Sequence, residues 1–237
     1  FLKSIKNLIL LLFMLIINSK KIVCILFTGF FFFSSAYSQD NDFRGWSEIE
    51  YNLDIDERIS LAFSQHFRLK EDLNTVDSYI TESEITYSPL KKIKLSGQFR
   101  YYYKNDNSGG IQGFENLYRY RFGIEKKFNT NYLNFDLRVA YQNRVSIDRK
   151  DRFKKRLRIR PSAEIKIKDW TNKPKLFYEY FDEIQGKDQK AHRYGISFKK
   201  NLKQNQSFTF RYFFQKYDEA FNLDYNNNVI SLKYSFN

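Results

Sequence analysis

The chain has 237 residues, a formal net charge of +13 and 28% charged residues. Its length suits one ordinary domain or one closed barrel. Aromatic residues make up 19% of the chain, whereas Gly and Pro number only 9 and 3. This composition excludes a low-complexity or disordered chain, because there is ample apolar material to bury or to expose to lipid.

Residues 1–38 contain no Asp or Glu, and they predict a secretory signal peptide. Two lysines precede the apolar run Ile22–Phe33, and the small residues of SSAYSQ follow it. Ala36 and Ser38 are placed for cleavage before Gln39. The mature domain is therefore expected to cover residues 39–237.

Two questions about this segment stay open in the sequence. A helical membrane anchor is the alternative to a signal, but it would need about 20 apolar residues, more than Ile22–Phe33 supplies. Met14 would open a signal of ordinary length, so residues 1–13 could lie upstream of the translation start. Cys24, the only cysteine, lies inside the run, so the exported chain should lack disulfides and cysteine metal ligands.

After the signal, the sequence repeats runs of alternating polarity separated by short polar breaks. A tilted strand needs about 9 to 11 residues to cross an outer membrane, and every run but the first is long enough. They cover 46–53, 57–69, 76–88, 92–104, 116–126, 132–144, 154–168, 174–184, 191–200, 206–217 and 227–236. None shows a sustained helical period. The pattern predicts an all-β protein, an antiparallel transmembrane β-barrel of 10 to 12 strands of the outer-membrane type.

The strand number and the breaks carry further information. Eleven runs conflict with the even strand number of single-chain bacterial barrels, so either the short first run is not a strand or one strand is missed. The breaks DIDE, SPLKK, FNTN, KDWTNK and, less tidily, KKNLKQNQ are short. They alternate with the longer KEDLNT, KNDNSGGIQG, SIDRKDR, EIQGKDQKA and DEAFNLDYNN. Short periplasmic turns and long outer loops are typical of such barrels, which predicts the direction of the chain.

A soluble β-sandwich is the alternative fold, since its strands also alternate. Its outer face should be polar, but here one phase of each strand is apolar or aromatic almost end to end. In a membrane barrel the apolar phase faces the lipid and the charged phase faces the lumen. We therefore expect a location in the bacterial cell outer membrane, with lipid as a partner. The penultimate Phe236 resembles the aromatic C-terminal strand that the outer-membrane assembly machinery recognises.

The most basic stretch, KKRLRIRPSAEIKIK at Lys154–Lys168, suggests a nucleic-acid-binding arm when it is taken alone. Strict alternation of its apolar residues and its position after an export signal favour a membrane strand instead, so no nucleic-acid partner is expected. Pro161 falls in the outward phase, where its missing backbone donor should weaken one ladder bond and could mark a bulge or bend.

These segments resemble a known family. WSEIEYNLDIDERISLAFSQHFRLKED, ITYSPLKKIKLSGQFRYYYK, FENLYRYRFGIEKKF and RFKKRLRIR are similar to the uncharacterised outer-membrane barrels grouped as domain of unknown function 2490. The resemblance covers nearly all of the predicted mature chain and rests on strand patterns and on Arg and Tyr placement. It implies the barrel fold and carries no established activity or functional residues.

The inward phase of three successive strands predicts a basic lumenal wall. Its members are Arg119, Arg121, Arg138, Arg144, Arg156, Arg158 and Arg160. Folding about FNTN predicts Arg121 opposite Arg138 and Glu125 opposite Asn134. Folding about SIDRKDR predicts Arg158 near Arg138 and Arg160 near Asp136. The expected counter-charges are Glu82, Glu84, Glu125, Asp136, Glu164 and Glu179.

This wall has two interpretations. Internal ion pairs could plug a narrow barrel, since unpaired crowded charges would repel each other. Alternatively, the wall could conduct or bind small anionic solutes, because arginine presents a planar charged fork that suits carboxylate and phosphate. A surface adhesin or docking protein acting through the loops at 104–113 and 218–228 is a third reading.

Signals for catalysis are weak, and the protein is expected not to be an enzyme. His66 shares a strand face with Ser64 and Ser60, which leaves a lipid-modifying enzyme as an alternative, but no third catalytic member can be named. His192 looks solvated at a loop edge. Two histidines and a glycine-rich loop with poor calcium-ligand spacing predict neither a metal site nor a cofactor.

Overall fold

The computed structural model describes residues 41–107, 112–148, 153–167, 173–185, 189–202, 205–218 and 226–237. The predicted signal at 1–38 lies outside these residues. The strands are β1 (Asn41–Asp54), β2 (Ile59–Lys70), β3 (Thr75–Leu90), β4 (Ile93–Asp106), β5 (Gly113–Asn129), β6 (Leu133–Ser146), β7 (Phe153–Ile165), β8 (Lys173–Gln185), β9 (Lys190–Asn201), β10 (Ser207–Tyr217) and β11 (Asn226–Phe236). No helix long and apolar enough to cross a membrane occurs in these ranges.

The strands close into one barrel in which each strand pairs with its neighbours in the sequence and β1 pairs with β11. Consecutive strands are antiparallel, but β1 and β11 run parallel. An odd number of up-and-down strands leaves the first and last strands pointing the same way, so only a parallel pair can close the sheet. The predicted barrel of 10 to 12 strands is confirmed, and the suspected first run is a strand of 14 residues.

The connections define two ends of the barrel. The turn end carries 55–58, 91–92, 130–132, 166–172 and 202–206, and the loop end carries 71–74, 107–112, 147–152, 186–189 and 218–225. The predicted greater length of the loops holds at 107–112, 147–152 and 218–225, but 71–74 and 186–189 are no longer than the turn 55–58, and 166–172 is longer than the other turns. The amino end of β1 lies at the loop end and the carboxyl end of β11 at the turn end, because the two strands are parallel.

Side chains alternate between two opposite environments along each strand. The outward phase is apolar and exposed, as at Phe63, Phe122 and Ile124, which are 50%, 63% and 48% exposed. The inward phase is polar and buried, as at Arg121 and Glu179. Since successive strand residues face opposite sides, a sequence that alternates Phe or Ile with Arg or Glu fits a barrel that is apolar outside and charged inside.

The junction between β1 and β11 is reinforced by polar side chains of the inward phase. The Lys233 ammonium lies 2.9 Å from a carboxylate oxygen of Glu48 and 2.5 Å from one of Glu50. The Ser235 hydroxyl donates to Glu50 at 3.2 Å, and the Asn52 side-chain amide donates to the Phe236 carbonyl at 3.5 Å. These contacts join the first and last strands across the parallel ladder.

Pro161 of β7 disturbs one of its two ladders, as predicted. It pairs with Leu137 of β6. On the β8 side, pairing stops after Ile159 with Tyr180 and resumes at Ser162 with Phe177 in the same register. The missing proline N–H explains a gap in pairing without a bulge.

Candidate functional site

The lumen contains a cavity of about 810 Å³, lined by residues from every strand. Among the described residues, fifteen Arg or Lys side chains and six Glu or Asp side chains line it. All seven arginines of the predicted wall belong to this lining. The electrostatic potential inside should therefore be positive, because the low-dielectric barrel wall focuses the field of these charges.

The predicted register within the wall is wrong at both hairpins. Glu125 pairs with Arg138, and Arg121 pairs with Gln142. The error at this hairpin is four residues, because β5 continues to Asn129 and the turn forms beyond it, where the Thr130 hydroxyl bonds both backbone groups of Leu133. An even shift leaves every side chain on its predicted face.

At the second hairpin the register differs by two residues from the one predicted, but Arg158 does lie near Arg138, since both contact the same oxygen of Glu179. Arg160, not Arg158, pairs with Arg138, and Asp136 pairs with Ser162. The β6–β7 ladder extends to Val145 and Phe153, which centres the connection later in the chain than the predicted pairing required. The wall itself is preserved because the shift is again even.

One ion-pair network surrounds Glu82 and Glu84 of β3. Glu82 forms a close ion pair with Arg100 and lies 3.9 Å from Arg119. Glu84 accepts a hydrogen bond from Arg121 at 2.8 Å. Two of the predicted counter-charges therefore lie beside arginines of the wall, Glu82 beside Arg119 and Glu84 beside Arg121.

A second network centres on Glu179 of β8, whose side chain is 1% exposed. Arg158 donates two hydrogen bonds to it, at 3.1 and 2.7 Å. Arg193 donates another at 3.3 Å, and Arg138 lies 3.9 Å away. One carboxylate thus holds three guanidinium groups from three different strands, which makes Glu179 the central anion of the lumen.

The remaining predicted counter-charges have other partners. Asp136 accepts a hydrogen bond from Lys175 at 2.6 Å, and Glu125 lies 4.0 Å from Lys127. Glu164 accepts a hydrogen bond from the neutral Asn134 at 2.9 Å.

Glu183 is a further lumenal carboxylate, not among those predicted, and it lies 2.6 Å from Lys154 and 3.4 Å from Arg156. It could have been predicted from its place four residues after Glu179, on the same face of β8.

An aromatic cluster inside the lumen was also missed. Phe213 is fully buried, and its ring centroid lies 5.1 Å from that of Trp46 and 6.2 Å from that of Phe177. Opposite Phe213 on β9 is Gly195, where a Cβ atom would lie 2.5 Å from that of Phe213. Glycine here lets the two strands approach closely and leaves room for the phenyl ring.

Arginines stack on this cluster. Arg68 lies 3.8 Å from the centroid of the Trp46 ring, and Arg193 lies 4.5 Å from that of Phe213. Arg160 and Arg211 lie 4.6 and 5.8 Å from the ring centroid of Phe177. Guanidinium groups over aromatic faces are stabilised by cation–π attraction, about 0.5 to 2 kcal/mol each. The arginines are therefore held in part by rings and not only by carboxylates.

A second cavity of about 700 Å³ opens among residues of the turn end. It shares six lining residues with the first cavity: Glu50, Asn52, Ser60, Arg160, Arg211 and Lys233. Lys199 also lines this second cavity, and it is exposed. Arg160 and Arg211 therefore lie where the two cavities meet and line both of them.

Ser64 and His66 share the inward face of β2, as predicted, and both are buried. His66 contacts two carboxylates, with Nδ1 3.5 Å from Glu48 and Nε2 3.8 Å from Glu82. His192, predicted to be solvated, accepts or donates a 2.7 Å hydrogen bond with the Tyr178 hydroxyl on the outward face and lies 3.2 Å from Asp218. In the ranges that the structure describes, no group of three or more His, Cys, Asp or Glu residues could hold a metal ion.

Comparisons with known proteins identify a family but no established role. The family model of DUF2490, described as a protein of unknown function, matches residues 43–227. The anion-selective porin from Comamonas acidovorans is similar at 14% sequence identity and a TM-score of 0.41. The alignment covers 77% of this chain and 54% of the porin, so the chain spans about half of that protein's length. No curated protein sequence matches the chain.

Proposed function

The chain belongs to the DUF2490 family of proteins of unknown function, and we propose that it is an outer-membrane β-barrel whose arginine-lined lumen admits small anions and restricts their passage. The observation that carries this proposal is the lining of the main cavity, in which fifteen basic side chains outnumber six acidic ones. An interior with this excess of fixed positive charge concentrates anions and repels cations.

The outer surface supports the membrane location. Large apolar side chains such as Phe122, Phe63 and Leu90 are 63%, 50% and 62% exposed, which is costly in water and favourable in lipid. Outward tyrosines near the strand ends, Tyr79 and Tyr103 toward the loop end and Tyr87 toward the turn end, suit the two interfaces between lipid and water. Lipid is thus the proposed partner of the outward face, and the assembly machinery is a transient one.

The interior supports a narrow passage. Glu179 with its three arginines, and the ring cluster of Trp46, Phe177 and Phe213, occupy the lumen between β1 and the strands β6 to β11. Ion pairs and rings that fill part of the cross-section leave room for small solutes only. The plugged and the conducting barrel therefore differ only in how much of the lumen's cross-section these side chains fill.

Ion selectivity of the refolded protein tests the proposal. The barrel is inserted into a planar bilayer under a potassium chloride gradient, and the reversal potential is measured. We expect a small conductance with a reversal potential toward the chloride equilibrium potential. A cation-selective current, or no current in channels whose insertion is verified, would contradict a passage for anions.

We further propose a non-enzymatic role, because the two ring nitrogens of His66 face carboxylates, Glu48 and Glu82. Phospholipid hydrolysis by the refolded barrel, abolished by His66→Ala, would contradict it.

A further inference from the structure

We propose that Arg160 and Arg211 form a binding site for a small oxyanion that carries two or more negative charges, such as a phosphate, and that enters from the turn end. This inference rests on the proposed function, since it names the class of anion that the lumen selects. Its residues come from β7 and β10, and Arg211 was not part of the predicted wall.

The first step of the argument is the state of the two arginines. Most arginines of the lumen have a carboxylate within 4 Å, as Arg121 has with Glu84 and Arg158 with Glu179. Neither Arg160 nor Arg211 has such a carboxylate among the described residues. The Nε atom of each is buried without a hydrogen-bond partner. A buried charged donor without a partner is costly, so these two side chains favour a ligand that supplies the missing acceptors.

The second step is their position. Both guanidinium carbons lie within 5.8 Å of the centroid of the same ring, Phe177. The shared ring places both guanidinium forks in the same part of the lumen, and such forks match the oxygens of phosphate and carboxylate. Both arginines line both cavities, so the site is reached from the second cavity as well as from the main one.

The third step is the charge along the approach. Two other cations of the second cavity are already neutralised, Lys175 by Asp136 and Lys233 by Glu48 and Glu50. Lys199 is exposed in the lining of the second cavity, two residue pairs from Arg211, since Thr209 pairs with Lys199 and Arg211 with Ser197. The carboxylates of Asp54 and Glu164 also line this cavity, so Lys199 is the cation at the turn end that offsets them on the way to the arginine pair.

The test is the affinity of inorganic phosphate for the refolded barrel, measured by isothermal titration at constant ionic strength in chloride. Arg160→Gln and Arg211→Gln should each raise the Kd by about tenfold or more, the loss expected for a hydrogen bond to a charged group. Arg68→Gln is the matched control. Arg68 also stacks on a ring and also has no carboxylate within 4 Å in the described ranges, but it lines only the main cavity. Its Kd should change by less than about threefold.

Two outcomes would overturn the site. Phosphate affinity that is unchanged in both arginine variants excludes these residues, and an equal loss in Arg68→Gln shows a general effect of lumenal charge. If the Gln variants fail to fold, Arg160→Lys and Arg211→Lys replace them in the test. These variants keep the positive charge but lose the two-pronged guanidinium donor, so they should still weaken phosphate binding. Anion-selective current without arginine-dependent phosphate binding overturns the site alone. Arginine-dependent binding without selective current overturns the passage and leaves the site.

Discussion

Replacement of Glu179 by Gln removes the central anion of the lumen while keeping the shape of the side chain. In the native protein this carboxylate is 1% exposed and accepts two hydrogen bonds from Arg158, at 3.1 and 2.7 Å. Arg193 and Arg138 lie 3.3 and 3.9 Å from it. Glutamine leaves these three guanidinium groups facing each other around a neutral amide.

The expected cost follows from these contacts. Removal of one partner from a buried ion pair typically destabilises a protein by about 3 to 5 kcal/mol, because the remaining charge stays buried without compensation. We expect a loss in this range for Glu179→Gln. The matched control is Glu164→Gln, because Glu164 is another inward carboxylate of the barrel but accepts its hydrogen bond from the neutral Asn134. Its loss should be about 1 kcal/mol, the contribution of one ordinary hydrogen bond.

Unfolding of both variants in urea, followed by tryptophan fluorescence in lipid vesicles, gives the two free energies of unfolding. The same preparations in planar bilayers give the ion selectivity. Glu179→Gln should shift the reversal potential further toward the chloride equilibrium potential, because one of the six carboxylates that line the main cavity is lost. Equal losses of stability in the two variants, or a more stable Glu179→Gln, would refute a central role for this carboxylate.

Two further predictions concern the barrel wall. Gly195→Ala should destabilise the barrel by about 3 kcal/mol in the same urea assay, because the new Cβ atom would lie 2.5 Å from that of Phe213. The control Gly97→Ala should be close to neutral, because its Cβ atom would have ordinary contacts. Equal effects of the two substitutions would contradict the close approach of β9 and β10. Ile49 and Tyr234 are directly paired across the parallel ladder, so Ile49→Cys and Tyr234→Cys should form a disulfide in a chain whose native cysteine is replaced. The oxidised barrel should then resist heat-induced unfolding on gels. Failure of the inserted protein to oxidise would exclude the parallel closure.

The fold was predictable because the two sides of a membrane barrel impose opposite chemistry on successive residues. β5 shows this clearly, since Tyr120, Phe122 and Ile124 are exposed outside while Arg119 and Arg121 are buried inside. The register was not predictable, because Phe128 and Asn129 continue β5 beyond the point where the sequence suggested a turn. Both register errors were even, so the arginines remained in the lumen.

The partners of those arginines were harder to predict, for a reason visible in β8. There Phe177 and Phe181 share the inward phase with Glu179 and Glu183, and the outward phase is aromatic too. Alternation of polarity is weakened when both faces carry rings, so the inward Glu179 was predicted but Glu183, four residues later on the same face, was missed. The stacking of Arg160 and Arg211 on Phe177 depends on this same strand and was hidden for the same reason.

The parallel ladder between β1 and β11 has a consequence for how the barrel is completed. Ten hairpin steps build an open sheet with two unsatisfied edges, and such edges readily pair with other chains. The final step joins residues that are farthest apart in the sequence, through a parallel ladder that is slightly weaker per residue than an antiparallel one. The ion pairs of Lys233 of β11 with Glu48 and Glu50 of β1 help to hold these two edges together. The ring should therefore open first at this junction, where the contacts of Lys233, Ser235 and Asn52 supplement the parallel ladder.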